Sequence, residues 1–510
     1  MTISLWISCF ADLITSPRVI VYLVFGVVAG AVIGALPGLS STMGIAILTP
    51  LTFWLPADCG FAMLIGVWNA SVWAGGLSAI IINTPGTPGS VASTFDGYKL
   101  YQQGKGGLAL GTNVIYSVFG GLLSTIALMF FAWPLARFAV TFGPPEYFAL
   151  ALFGLSMMVS VSGNSVLKGL AVGFAGLAIS TVGLDPMLAS KRFTFGSVYL
   201  QTGIQFLPVM IGMFGIGEVL SQIYQYNRAE VERENELKKQ NMALGRVLPN
   251  KEELIHLGVP TFLAGILSII IGIIPAAGGD IASIICWGLG SRLSRHKDEY
   301  GKGSLEGMAV STVSNNGVLG GALITMLTMG IPGDSVTAIL IGSLMMYGMT
   351  PGPKMFNEQP DFIVNIMLLM IFANLVILVF GLLTAKVSAK MLNVKPQTVW
   401  VAVSVLSIVG SFALNNSFND VIVMLLAALI GFLFRVGGFP TGPFILGLLL
   451  GSMLESNFRR SLILSRGSVT IFFTRPICCV LIIIIVLVLL RQPLSRLLAK
   501  KRAGAKEDAV

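Results

Sequence analysis

"IGALPGLSSTMGIAILTP", Ile33 to Pro50, interrupts an apolar run with a proline, a glycine and three consecutive hydroxyl side chains. The pattern returns as "IGIIPAAGGDIASIICWG", Ile271 to Gly288, which matches Pro37 with Pro275 at an offset of 238. A second pair follows in the same order: "NASVWAGGLSAIIINTPGTPGSV" from Asn69 and "NNGVLGGALITMLTMGIPGDSV" from Asn315. It matches Asn69 with Asn315 and Pro85 with Pro332, at offsets of 246 and 247. The extra residues fall in "SRLSRHKDEYGKG", Ser291 to Gly303, a loop that the first half lacks. Two ordered matches read as an internal repeat.

The chain around these segments is 510 residues long, 55% hydrophobic and only 11% charged. That balance is foreign to soluble globular proteins. Apolar runs recur throughout, among them Val19–Leu36, Gly107–Phe131, Val259–Ile274 and Ile477–Leu490. At about 20 apolar residues per crossing, they predict roughly 12 spanning segments. The expected fold is an all-α polytopic membrane protein built from two repeats, with broken helices or re-entrant hairpins at the Pro-Gly motifs.

The hydrophilic stretch 223–253, which contains "NRAEVERENELKKQ", is expected to be a charged linker with a solvated helix. It separates a first membrane repeat, 1–222, from a second, 254–490. A basic tail, 491–510, reads as a solvated end with some attraction to anionic lipid. In the first half, the basic connection follows the second motif, with Lys99 and Lys105. In the second half it follows the first motif, with Arg292, Arg295, Lys297 and Lys302. By the positive-inside rule the repeats are therefore inverted in the membrane. The net charge of +9 lies largely in such loops and implies no nucleic acid. The N-terminus carries no recognisable cleaved signal. Five cysteines show no metal or CxxC spacing, and His256 and His296, far apart at segment ends, suggest no metal site.

Why place helix breakers inside a membrane segment? Backbone groups freed by a break cannot face lipid; each unsatisfied one costs several kcal/mol. Breaks at matching positions of two repeats are therefore the best pointer to a transporter's binding site. A half-helix starting at the break aims its free N–H groups, and the positive end of its dipole, at that site. A carboxylate is the natural ligand. The expected substrate-binding residues are Pro37, Gly38, Leu39, Ser40, Ser41 and Thr42; Asn83, Thr84, Pro85, Gly86, Thr87 and Ser90; Pro275, Ala276, Ala277, Gly278 and Gly279; and Pro332, Gly333 and Ser335. The bland alternative is a set of ordinary turns at the membrane interface. Asp280 and Asp334, with Asn69, Asn315 and Asn316, are candidates for cation coupling. Helix capping by the two acids, and helix–helix hydrogen bonding by the three amides, are the competing roles. Gly26, Gly30 and Gly34 read as a close-packing face, and Asp420 as a minor candidate in an interfacial connection.

"GALPGLSSTMGIAILTPLTF", "NTPGTPGSVASTFDGY", "SNNGVLGGALITMLTMGIPGDSVTAILIG" and "YGMTPGPKMF" resemble the large membrane subunit of the tripartite tricarboxylate transporters, the TctA family. The resemblance runs from about Val19 to Leu490, including "RRSLILSRGS". It implies a multi-pass protein of the bacterial inner (cytoplasmic) membrane that imports carboxylates along an ion gradient. It also implies two partners: a small membrane subunit (TctB-like) and a periplasmic solute-binding protein (TctC-like). Na⁺ or H⁺ is the candidate coupling ion, and no other cofactor is expected. The chain departs from the family pattern at Pro275-Ala276-Ala277-Gly278, usually Pro-Gly-x-Gly, and at Thr312, where an acid is common. The rival readings are an intramembrane enzyme and a non-transporting scaffold. With no HExxH, GxSxG or phosphate-binding GxxxxGK[ST], the enzyme lacks its machinery in sequence.

Overall fold

A computed structural model describes residues 3–161, 166–226, 244–275, 277–386, 388 and 396–487. The "NRAEVERENELKKQ" helix, the basic tail and Ala276 lie outside the described residues. Among the described residues the chain is all-α apart from one two-residue antiparallel pairing, Gly183–Leu184 with Lys191–Arg192. It divides into two compact units. Unit 1 comprises Met1–Val140 and Met210–Phe432; unit 2 comprises Thr141–Val209 and Leu433–Val510. Unit 2 takes one segment from either side of the charged linker, which falls within the second segment of unit 1.

Unit 1 begins with α1 (Ile3–Thr15), α2 (Pro17–Ala35), α3 (Ser41–Thr52), α4 (Ala57–Ile82), α5 (Val91–Leu100) and α6 (Gly106–Ala139). Unit 2 holds α7 (Pro144–Val161) and α8 (Val166–Ser180). The chain returns through α9 (Phe206–Gln225) to α10 (Lys251–Ile273), α11 (Gly279–Leu293), α12 (Leu305–Met329) and α13 (Ser335–Met346). Then come α14 (Pro360–Thr384), α15 (Pro396–Asn415) and α16 (Phe418–Val436), with α17 (Gly442–Leu464) and α18 (Pro476–Leu487) in unit 2. Eight helices among the described residues are long and apolar enough to cross a membrane. Several others are short. At 1.5 Å per residue, the 12-residue α3 and α13 reach about 18 Å, well under a hydrocarbon core of about 30 Å.

The breaks have a common local cause. Leu36 and Ile274, each just before a proline, leave α2 and α10 in extended conformation with ψ of 120° and 118°. α4 and α12 instead end on left-handed residues, Asn83 (φ 55°) and Gly330 (φ 71°), followed by Thr84-Pro85 and Ile331-Pro332. Asn83 and Gly330 stand 247 positions apart, the offset of the second sequence match.

The centre of unit 1 is polar as well as buried. α4 is almost wholly enclosed, and in α12 every residue from Glu306 to Thr328 is buried. These are the helices that carry Asn69, Asn315 and Asn316. Gly26, Gly30 and Gly34 press α2 onto α4: a Cβ at each would fall on the carbonyl oxygens of Met63, Val67 and Ser71. At one end of unit 1 the two basic connections meet. Lys99 donates to the Gly301 carbonyl, and Gln103 Nε2 to the Lys302 carbonyl at 2.9 Å. Lys99, Lys105, Arg295 and Lys297 therefore share an end, the one that the positive-inside rule assigns to the cytoplasm.

Candidate functional site

The four broken segments lie within unit 1, and three of them, 83–90, 275–280 and 331–335, approach one another through glycines that leave no room for a side chain. Asn315, on α12, is the junction. Its amide oxygen nestles against Gly89, in the turn Pro88–Ser90 that opens α5, and against Gly279, the first residue of α11. A Cβ at Gly279 would lie 2.5 Å from that oxygen, so any side chain there would displace it. The Asn315 Nδ2 donates across to the Val72 carbonyl of α4 at 3.4 Å. Gly278 faces the fourth segment: a Cβ there would be 4.0 Å from the Asp334 Cβ. Asp280 and Asp334 thus stand on either side of Gly278, at the N-termini of α11 and α13.

The segment 83–90 folds back on the helix it leaves. Gly86 N–H donates to the Gly75 carbonyl at 3.1 Å, and a Cβ on Gly86 would strike the Gly34 carbonyl oxygen on α2. Gly333 repeats the arrangement in the second half, packed on Ala322 of α12 with 2.5 Å from a built Cβ to the Ala322 Cα. Gly75 and Ala322, like Gly86 and Gly333, are 247 residues apart. Gly34, within α2, gives the segment 83–90 its contact with that helix, whereas residues 37–42 themselves turn to Gln222 and to the apolar cluster of Leu39.

The half-helices differ in how their N-termini are satisfied. Ser40 caps α3, accepting from the Met43 N–H at 3.1 Å. Asp334 caps α13 in a capping box: its Oδ1 accepts from the Thr337 N–H at 2.7 Å, and its own N–H donates to Thr337 Oγ1 at 2.8 Å. Ser90 closes the turn before α5, donating to the Thr87 carbonyl at 2.7 Å. α11 starts on Gly278, which has no side chain to cap with. Thr87 is buried, and its hydroxyl, packed against Gly75 of α4, has no hydrogen-bond partner among the described residues.

Other expected residues have different tasks. Gly38, at φ 84°, turns the chain after α2, and its carbonyl accepts from Gln222 of α9, whose Oε1 accepts from Trp400 Nε1 at 2.8 Å. Leu39 and Ala277 sink into separate apolar clusters, beside Met43 and Ile47 and beside Ala282 and Val318. Pro37, Thr42, Thr84 and Pro85 are half-buried around the turns, Ser41, Pro275 and Pro332 are buried, and Ser335 opens α13. Asn83 is the left-handed cap of α4, exposed rather than turned inward. Asn69 bonds helix to helix: it donates to the Ile65 carbonyl at 2.9 Å and accepts from Asn374 Nδ2 of α14 at 3.2 Å. Asn316 donates to Ser117 of α6. Of the three amides, only Asn315 touches the breaks.

Sequence reasoning passed over Asp96. This buried carboxylate on α5 accepts from Trp287 Nε1 of α11 at 2.8 Å, and from the N–H groups of Gly303 and Ser304 at 3.0 and 2.8 Å. It caps α12 from another helix and ties both halves of the chain together. An acid within the "STFDGY" stretch was the available signal. Asp420 is also buried, accepting from Asn415 Nδ2 at 2.8 Å near the start of α16. His256 and His296, distant in sequence, are brought ring to ring at 4.4 Å.

Eight described helices apolar and long enough to cross a membrane, with amide and hydroxyl side chains carried on the buried α4 and α12, define an all-α polytopic membrane protein. Residues 20–446 match the tripartite tricarboxylate transporter TctA family, and the chain belongs to that family. An Agrobacterium vitis protein, the uncharacterized 52.8 kDa protein in the TAR-I ttuC' 3' region, is 35% identical over 91% of both chains. A second from that organism, the uncharacterized protein in the TAR-II ttuC' 3' region, is 33% identical over 42% of this chain and 88% of its own. No solved structure matches the chain.

Proposed function

We propose that this chain is the permease subunit of an ion-gradient-driven carboxylate uptake system in the bacterial inner membrane. It works with a small membrane subunit and depends on a periplasmic solute-binding protein to deliver the substrate. The observation that carries this reading is the meeting of two breaks on Asn315, at Gly89 and at Gly279, where α11 starts without a side-chain cap. Half-helix N-termini favour an anion by about 0.3–1 kcal/mol each, and more where partly buried. The neighbouring carboxylates Asp280 and Asp334 suit a cation bound with the substrate, Na⁺ or H⁺.

The two halves form inverted repeats on this reading. The matched caps at Asn83 and Gly330, the matched packing of Gly86 and Gly333, and the shared end of the two basic loops all support it.

Reconstitution in liposomes tests the proposal. Carboxylate uptake should require an imposed Na⁺ or H⁺ gradient, the small subunit and the binding protein, and Asn315→Ala should abolish most of it. Full uptake at micromolar substrate (a scale set by ordinary binding affinities, roughly −8 kcal/mol) by this chain alone would refute the dependence on partners. Undiminished uptake by the Asn315 variant would remove the site.

A further inference from the structure

A second site lies away from the breaks. A groove of about 650 Å³ runs between α10 and α11 at the basic end of unit 1. Its floor is Ala264, Cys286 and Val310, all buried and apolar in surroundings. Its rims are apolar too, yet open: Leu263 of α10 is 60% exposed and Leu293 of α11 is 79% exposed. The outer face of α10, with Ile255, Val259 and Ile270, is likewise exposed and apolar, as a surface turned to acyl chains must be.

The groove changes chemistry at one end. His256, Arg295 and His296 line it there. The two imidazoles stack edge to face, their rings 4.4 Å apart and 87° between planes. Glu306, buried beneath, is engaged from two sides: Tyr300 Oη donates to its Oε1 at 3.0 Å, and His256 Nε2 lies 3.2 Å from its Oε2. That holds the His256 ring in place; His296 Nδ1 lies 3.6 Å from Glu299 Oε1, and Arg295 is exposed beside it. Among the described residues Arg295 has no ion-pair partner, and the exposed Arg292 and Lys297 flank it.

We propose that this groove binds an anionic phospholipid, with one acyl chain between α10 and α11 and the phosphate on Arg295, His256 and His296. An apolar slot open to lipid that ends in an arginine and two imidazoles, at the end the positive-inside rule assigns to the cytoplasm, matches the shape and charge of that ligand. A soluble anion would leave the slot empty, and a zwitterionic lipid would bring a second positive charge up to Arg295. α11 runs from this groove back to Gly279 at the substrate breaks, so the lipid braces a helix that the transport site uses.

The experiment is native mass spectrometry and thermal unfolding of the purified full chain. Phosphatidylglycerol is compared with phosphatidylcholine of identical acyl chains, and inorganic phosphate and glycerol phosphate serve as soluble competitors. Phosphatidylglycerol should be retained at least several-fold better and raise the melting temperature. The double variant Arg295→Ala/His296→Ala should lose that preference. Lys297→Ala, in the same loop but outside the groove, should keep it. Leu263→Trp, at an exposed rim position, should fill the slot and lower retention with the charge unchanged. Equal retention of both lipids, an unaltered preference in the double variant, or full displacement by inorganic phosphate would each overturn the proposal.

Discussion

At Thr87 a single hydroxyl separates structural from functional demand. Buried without a partner among the described residues, it is a group that folding would do better without. Thr87→Val keeps the shape and removes the hydroxyl, so the melting temperature should hold or rise. Substrate affinity, read as KM for uptake, should weaken by about 0.5–1.5 kcal/mol, the net worth of one hydrogen bond. A lower melting temperature with unchanged KM would make the hydroxyl structural. Asp334 poses the converse problem, since its carboxylate visibly caps α13. Asn also caps a helix but attracts no cation. Asp334→Asn should therefore fold normally while its uptake loses its dependence on the coupling-ion gradient. Unchanged cation dependence would leave Asp334 as a cap alone.

At the scale of elements, the glycine seam between α2 and α4 holds unit 1 together by backbone approach. Gly30→Val or Gly34→Val drives a side chain into the carbonyl of Val67 or Ser71. Each should destabilise the protein by at least about 1–3 kcal/mol, the usual cost of overpacking, measured as lost thermal stability in detergent. Gly258, with nothing within 4 Å of a built Cβ, is the control position on α10 and should tolerate alanine far better. The seam was legible in sequence from its four-residue spacing. The positions of the breaks were legible too, since proline forces its predecessor out of helix wherever it stands. What the pattern left undecided was the division of labour among Asn69, Asn315 and Asn316. All three are amides in apolar helices; only packing shows that Asn69 faces Asn374 while Asn315 faces two glycines of other segments.

For the molecule as a whole, the arrangement of the halves is open to chemical labelling. Lys105 and Lys297 are both exposed and stand in the two connections that meet at one end of unit 1. As single cysteines they should react with a membrane-impermeant thiol reagent from the cytoplasmic side only; labelling from opposite sides would end the inverted-repeat reading. In unit 2 a charge network sets an acid limit. The Asp185 carboxylate is held at about 2, first by the Leu188 and Met187 N–H groups and then by Arg459, which it meets at 2.7 Å. Arg192 adds a two-point pair with Glu455 at 2.9 and 3.1 Å. Because the folded value lies below the unfolded one of about 3.9, this stabilisation is complete above pH of about 4 and disappears as pH falls through about 2. The melting-temperature difference between wild type and Asp185→Asn should accordingly shrink across that window. A difference constant with pH would mean that Asp185 acts by shape alone.

By itself, the sequence determined that this chain lives in a membrane, where its helices break, and that the breaks come in matched pairs. Those follow from local chemistry: apolar length, proline sterics and the cost of bare backbone in lipid. Tertiary structure alone decided which residues meet: Asn315 with Gly89 and Gly279, Asp96 with the start of α12, His256 with His296. The reason is physical. In water a polar face tells a helix which way to turn, but in a bilayer both the lipid and the protein interior accept apolar side chains. With every face apolar, the pattern along a helix no longer says what lies against it.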